Sequence, residues 1–434
     1  MQSKNDCQID SSLQQSAIGQ GRFFYGWWIV LSCAIVSIWA GGIFYSVTAF
    51  IDPIVDEFGW SYFLVSLAAA LRSVEMGLMA PAMGFLVDRF GPRMVVSSSG
   101  LLTGAGFLLL SRTTSLLTFY VAFVVLSIGW SGLGQVTTTT AIAGWFRKRI
   151  GLATGIVVAG YGIGGVMVPV NAWLIELYGW QSAMAILGIA TWLVVLIPSL
   201  LLRHRPEKYG YLPDGERHNR GTEPQKVKLS PSQSEPEYTV KLALAAKVFW
   251  IIAFAYMIQF MVTNAVTLHI MPYLLSVSLP LETASLAAML IPILSVLGRL
   301  SFGWLGDLFG QKYLLAISFL LQAVSLVLLL SAQVTSQLVL FLAMFGPAIG
   351  GSLVLRSTLI RVQFGRRSFG SIQGLVVAVM TVGGILGPAF AGWVFDVTGS
   401  YGIAWIVLAA LTVVAGATVL LVRRPRPAAV PDSA

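Results

Sequence analysis

GFLVDRFGPR at residues 84–93 and GWLGDLFGQK at residues 303–312 decide the fold. The second stretch repeats the Gly, Leu, Asp, Phe-Gly and terminal basic positions of the first, 219 residues later. The same displacement carries Gly151, Gly155, Gly164, Gly165 and Pro169 onto Gly370, Gly374, Gly383, Gly384 and Pro388. Two distant blocks sharing one displacement mark an internal duplication. Each copy holds an even number of apolar runs, so the copies run parallel. Two bundles related in this way are expected to rock about a substrate site between them. Within each copy the leading Gly84 or Gly303 permits close helix contact. Asp88 and Asp307 are placed to cap a neighbouring helix N-terminus.

The rest of the chain agrees with a membrane setting. Hydrophobic residues make up 56% of its 434 residues and charged residues 10%, with a mean hydropathy of +0.81. A soluble domain carries about 25% charged residues, so soluble enzymes, disordered scaffolds and nucleic-acid readers are poor fits. Twelve apolar runs long enough to span a bilayer lie at 23–50, 62–86, 93–110, 116–142, 150–176, 180–202, 247–276, 282–306, 311–331, 335–361, 368–394 and 400–422. The expected fold is an all-α membrane protein of twelve transmembrane helices in two six-helix bundles. Its predicted parts are a tail at 1–22, a bundle at 23–202, a polar linker at 203–246, a bundle at 247–422 and a tail at 423–434. The polar stretch 1–22 has no apolar core and does not read as a secretory signal. Cys7 and Cys33, in a polar tail and an apolar run, imply no disulfide framework.

Orientation follows from the basic residues. With the N-terminus inside, 23 of the 27 Lys and Arg fall on inner loops, tails and linker, against Arg112 alone outside and three within spans. The net charge of +9 is therefore an orientation signal. A cell (inner) membrane protein with both termini cytoplasmic is expected.

The loop motif between the second and third spans resembles the signature of the major facilitator superfamily. Tyr25-Gly26-Trp27-Trp28 and Trp145-Phe146-Arg147-Lys148-Arg149 resemble its monocarboxylate and oxalate/formate transporter branch. The resemblance implies that Gly84, Asp88, Arg89, Gly91 and Arg93, with Gly303, Asp307 and Gly310, lock an inner gate when the protein opens outward. It also implies a carboxylate-binding arginine in span 8, at Arg299. The chain departs from that branch in three places. Ser295 stands where animal monocarboxylate transporters carry an acid, and Tyr45 where they carry a lysine in span 1. Residues 368–394 hold no lysine, where oxalate/formate exchangers have one.

Charges inside spans rank the candidate site residues. Arg72 and Glu75 lie in span 2, Arg299 in span 8 and Arg356 in span 10. Each costs about 3 kcal/mol or more if it faces lipid, so each is expected to face a cavity or a partner. None obeys the repeat, since the matching positions are Ile291, Leu294, Ala80 and Thr137. Arg299 precedes Asp307 by eight residues, which puts it about 12 Å above the inner interface and near the midplane. Its planar fork suits a carboxylate; the alternative is a pair with Glu75. Arg72 and Glu75, three residues apart, are expected to neutralise each other. Alternatively Glu75 carries a coupled proton and Arg72 guides anions. Arg356 is expected to snorkel toward the inner interface, with a role at the inner cavity mouth as a further reading. Tyr45, Tyr161, Asn171, Asn264 and Ser295 are neutral polar candidates, and His269 is a second proton-coupling candidate. Gln135 and Thr137–Thr140 are expected to bond back to their own helix.

The reading is a monomeric secondary transporter of small organic anions, foremost monocarboxylates, working by alternating access with a proton as candidate co-substrate. Its rivals are a di- or tricarboxylate exchanger, a multidrug exporter and a non-transporting sensor. With no metal cluster, nucleophile constellation or cofactor cradle, neither an enzyme nor a cofactor is expected.

Overall fold

The computed structural model describes residues 24–209, 213–215, 238–331 and 335–422. Lys4, Cys7, Arg22, Arg423, Arg424, Arg426 and most of the linker lie outside the described residues. The long helices are α1 (Gly26–Ser46), α2 (Tyr62–Phe90), α3 (Pro92–Leu110) and α4 (Leu116–Trp145). Next come α5 and α6, the two arms of Ile150–Ser199, followed by α7 (Lys247–Ser276) and α8 (Leu281–Phe309). The last four are α9 (Gln311–Leu330), α10 (Thr335–Phe364), α11 (Phe369–Thr398) and α12 (Gly402–Leu420).

Ten stretches among the described residues are long and apolar enough to cross a membrane. One of them turns over at Gly179, whose φ of 76° interrupts Ile150–Ser199, and α2 adds a further long helix, which makes twelve. Exposed leucine, valine and phenylalanine side chains cover the outer faces, Leu78, Leu297 and Phe309 among them. Lipid rather than water suits such a surface.

Local chemistry sets the helix ends. Ser115 and Thr118 form a reciprocal capping box at the start of α4. Gly91 (φ 85°) and Gly310 (φ 88°) take the same left-handed turn after α2 and α8, a conformation that costs a side chain but not glycine. The repeated motif thus writes one backbone corner twice.

Three details differ from expectation. The fourth run is two helices, Leu116–Gly132 and Gln135–Trp145. A short amphipathic helix, Ile51–Phe58, follows α1, and its Glu57 accepts from the Trp180 indole at 2.5 Å. The polar linker is partly docked. Arg203 lies over the rings of Tyr25 (4.0 Å) and Tyr209 (4.4 Å), a cation–π sandwich. Asp214 accepts the backbone N–H groups of Arg147 and Lys148 at 3.1 and 2.8 Å, and Glu207 pairs with Arg366 of the second half. Exposed amides and basic loops recruit the linker's acids.

The two aromatic signatures pack on each other at this end. Tyr25 meets Trp145 at 5.6 Å and Trp27 meets Phe146 at 5.3 Å between ring centroids.

Candidate functional site

Two helix crossings join the halves, α2 on α11 and α8 on α5, and they are equivalent residue by residue. In the first, a Cβ on Gly84 would collide with the Gly370 carbonyl, and one on Gly374 with the Ala80 carbonyl. In the second, a Cβ on Gly303 would strike the Gly151 carbonyl, and one on Gly155 would lie 2.6 Å from the Arg299 carbonyl oxygen. Glycine is required where backbones approach this closely.

At the motif-bearing end both crossings are capped. The Asp88 carboxylate accepts from Gly370 N (3.0 Å), Ser371 N (2.8 Å) and Ser371 Oγ (2.7 Å). Asp307 accepts from Gly151 N (2.8 Å) and Leu152 N (3.0 Å). Each acid satisfies the free N–H groups that begin a helix of the other half, where the helix dipole also favours negative charge. Arg89 is exposed, its guanidinium 5.4 Å from the Phe90 ring, and Arg93 is exposed at the same corner.

One helical step deeper, the equivalence breaks. Arg299 occupies the position of Ala80, and its side chain crosses into the first half. It is 6% exposed. Its Nη1 donates to the Val158 carbonyl at 2.9 Å, and the Tyr45 hydroxyl hydrogen-bonds the guanidinium while the Tyr161 hydroxyl stands within range of its charge. Nε has no acceptor among the described residues. The rings of Tyr45 and Tyr161 meet at 6.3 Å. The guanidinium thus lies between halves, among tyrosines, with no carboxylate in ion-pair contact among the described residues.

Gly162 admits it. A Cβ there would lie 2.6 Å from Arg299 Nη1 and 3.0 Å from Val296. Gly162 had no place among the sequence candidates, although a signal existed: it breaks the repeat, matching Thr381. At the pseudo-symmetric place Thr381 instead faces Gly77, 2.9 Å from where its Cβ would be. Gly162→Val is expected to lower transport about tenfold or more, the loss of one well-formed charged pair, with normal yield of folded protein. The closest displaced atom is the end of the flexible Arg299 side chain and the Val296 methyl need give only a few tenths of an ångström, so folding is largely spared. Uptake compared with yield checks this, and normal uptake would refute it.

Arg356 corrects an expectation. It does not snorkel: it is 1% exposed and turned inward. Nη2 donates to Gln135 Oε1 at 2.7 Å, Nη1 lies 3.0 Å from the Met380 sulfur, and the Tyr256 ring centroid is 6.0 Å away. Gln135 therefore serves the other half rather than its own helix, whereas Thr139 and Thr140 do bond back, each at 2.6 Å. The interface route is also occupied, since Arg361 is itself buried and donates Nε to the Ala143 carbonyl at 2.9 Å. Gln373 bonds Thr139 across the same seam at 2.8 Å.

The remaining candidates are not brought to Arg299. Ser295 Oγ donates to Pro292 O at 2.7 Å, and its backbone packs on Gly350 inside the second half. Asn264 Nδ2 donates to Phe260 O at 2.9 Å on its own helix. Asn171 is bonded to Ser46 within the first bundle. His269 is spent inside the second bundle: Nε2 meets the Pro388 carbonyl at 3.1 Å and Nδ1 the Tyr401 hydroxyl at 3.2 Å. A carbonyl only accepts, so Nε2 carries a proton. Glu75 is half-buried on α2, one turn beyond Arg72; the Arg72 side chain lies outside the described residues.

Residues 27–301 and 274–434 match the model of the Major Facilitator Superfamily. Monocarboxylate transporter 13 of Rattus norvegicus is 28% identical over 401 residues, covering 92% of this chain and 88% of that one. Monocarboxylate transporter 12 of Mus musculus is 26% identical over 401 residues, covering 88% and 82%. The uncharacterized MFS-type transporter YhjX of Escherichia coli (strain K12) is 24% identical over 373 residues, covering 82% and 86%. Among solved structures, FucP in its outward conformation superposes with a TM-score of 0.70 at 13% identity, over 91% of this chain and 98% of that one. The proton:xylose symporter XylE gives 0.69 at 14% identity over 92% and 95%. Such low identities speak for the fold alone. Family model, relatives and fold agree: the chain belongs to the Major Facilitator Superfamily, whose members are multi-pass membrane transporters of small solutes rather than enzymes.

Proposed function

We infer that the protein carries small carboxylate anions, foremost monocarboxylates, across its membrane by alternating access, with Arg299 holding the carboxylate. The observation that carries this is a nearly buried guanidinium between the halves, without a carboxylate partner among the described residues and with Nε lacking an acceptor. A buried cation without a counter-charge is costly, and a small anion is its natural partner. Tyr45 and Tyr161 offer hydroxyls to the same group. The relatives' names point to the same substrate class.

The cross-half bonds of Asp88, Asp307, Arg356, Arg361 and Gln373 all lie on the motif side of Arg299. We read this state as closed at that end, and the excess of Lys and Arg there makes it the cytoplasmic one. The test is uptake of labelled acetate, pyruvate, lactate, oxalate and citrate into proteoliposomes. Saturable uptake of a monocarboxylate, competed by its analogues, is expected; binding without uptake would make the protein a sensor.

His269 is bonded inside the second bundle, to Pro388 and Tyr401, so Glu75 is the acid at issue for a coupled proton. We assign it the neutralisation of Arg72, one turn away. Glu75→Gln should then lower the amount of folded protein and leave the pH dependence of uptake unchanged. A well-folded variant that exchanges substrate but no longer accumulates it under a pH gradient would make Glu75 the proton carrier.

A further inference from the structure

Arg356 stands where a cation has no evident scaffold task. Ser295 backs onto Gly350 and Gly306 onto Leu355, which fixes the register of α10 on α8. Arg356 is therefore close to the level of Gly306, seven residues beyond Arg299, or about 10 Å nearer the motif end. In the closed state its bonds are poor ones. It has a neutral amide oxygen and a thioether sulfur, and Nε has no acceptor. Gln135, the amide's owner, belongs to the other half, and its Nε2 also lacks an acceptor. Two buried donors, one on each of these hydrogen-bonded side chains from opposite halves, thus have nothing to receive them among the described residues.

We propose that Arg356 is a second carboxylate site, masked by Gln135 in the closed state and uncovered when the motif end opens. Opening draws α4 away from α10 and takes Gln135 with it. The guanidinium then faces the new cavity and accepts a small carboxylate in its planar fork, which neutralises it as the amide does not. An anion leaving Arg299 meets a second cation about 10 Å along its exit, and an anion entering from the motif side meets it first. Occupancy keeps Gln135 from returning, so carboxylate on that side stabilises the opened state until the anion moves on to Arg299.

The proposal rests on Arg299 as the primary site, and exchange in oriented proteoliposomes separates the two. The probe is pyruvate, or whichever acid of the panel enters fastest, labelled outside and unlabelled on the motif side. Two half-saturating concentrations are read, one for each side. Arg356→Met is expected to raise the motif-side value at least tenfold relative to the external one. Gln135→Glu, which supplies a tethered carboxylate, should raise the same ratio by competition and slow exchange. Should Arg356→Met fail to fold, Gln135→Glu decides alone. An unchanged ratio in either folded variant overturns the second site and leaves Arg299 standing. Intact exchange in Arg299→Ala would overturn the primary reading instead.

Discussion

Arg299→Ala is expected to abolish carboxylate uptake while the protein still reaches the membrane in normal amount. Folding survives because the close approach of α8 to α5 rests on the backbone of residue 299, whose carbonyl fits against Gly155, while its side chain adds a bond to Val158. Deleting an uncompensated buried cation relieves a desolvation cost rather than creating one. Among the described residues the Val158 carbonyl and the Tyr45 hydroxyl lose a donor. Arg299→Lys keeps the charge but loses the planar fork, and a lysine reaching Val158 has no second planar donor for a carboxylate. A hydrogen bond to a charged group is worth about 1.5–3 kcal/mol, so the Lys variant should lose about 10- to 100-fold in uptake. Labelled-acid uptake normalised to folded protein measures both, and wild-type uptake by the Ala variant would remove Arg299 from the substrate site.

Neutralising the two capping acids should open the motif end, and by unequal amounts. Asp88 accepts three bonds from α11, Asp307 two from α5. Asn keeps the size of Asp, removes the charge that the helix N-terminus favours and turns an N–H₂ group toward N–H donors. A loss of about 2 kcal/mol shifts the balance of states about 30-fold. Thr139→Cys reports the shift, because Thr139 lies on the sealed seam opposite Gln373. In a chain lacking Cys7 and Cys33, its labelling from the motif side should rise strongly with Asp88→Asn and less with Asp307→Asn. External substrate affinity should move modestly. Unchanged labelling in both would return the acids to the bland task of fixing a turn.

The scaffold was largely legible because duplication writes every scaffold contact twice. Gly84 with Gly303, Asp88 with Asp307 and Gly91 with Gly310 announced themselves by spacing alone, though not the positive φ of the last pair. Arg299 was legible for the opposite reason, as a charge that breaks the repeat inside an apolar run. What stayed hidden were partners contributed by the other half. Gln135, read along its own helix, has Thr neighbours that bond backward, and nothing local reveals the Arg356 guanidinium 221 positions away. Ser295 lies one helical turn from Arg299 in sequence, yet α10 covers its backbone. Proximity to Arg361 suggested a snorkelling Arg356, but Arg361 is itself drawn across to Ala143. Gly162 was lost among 44 glycines, since its role exists only once the Arg299 side chain arrives from the facing helix.

Residues 80 and 299 occupy one structural address, and at both the close approach of the neighbouring helix's glycine is to the carbonyl. Under the proposed role of Arg299, a duplicated carrier built this way can rewrite its cargo by single codon changes. The joint that must keep working through every cycle is specified by main-chain atoms, which mutation at that address leaves in place. Alanine in one copy and arginine in the other are two drafts of the same position. Selection on substrate could act on either without renegotiating the hinge, so cargo range in such a lineage is free to drift faster than architecture.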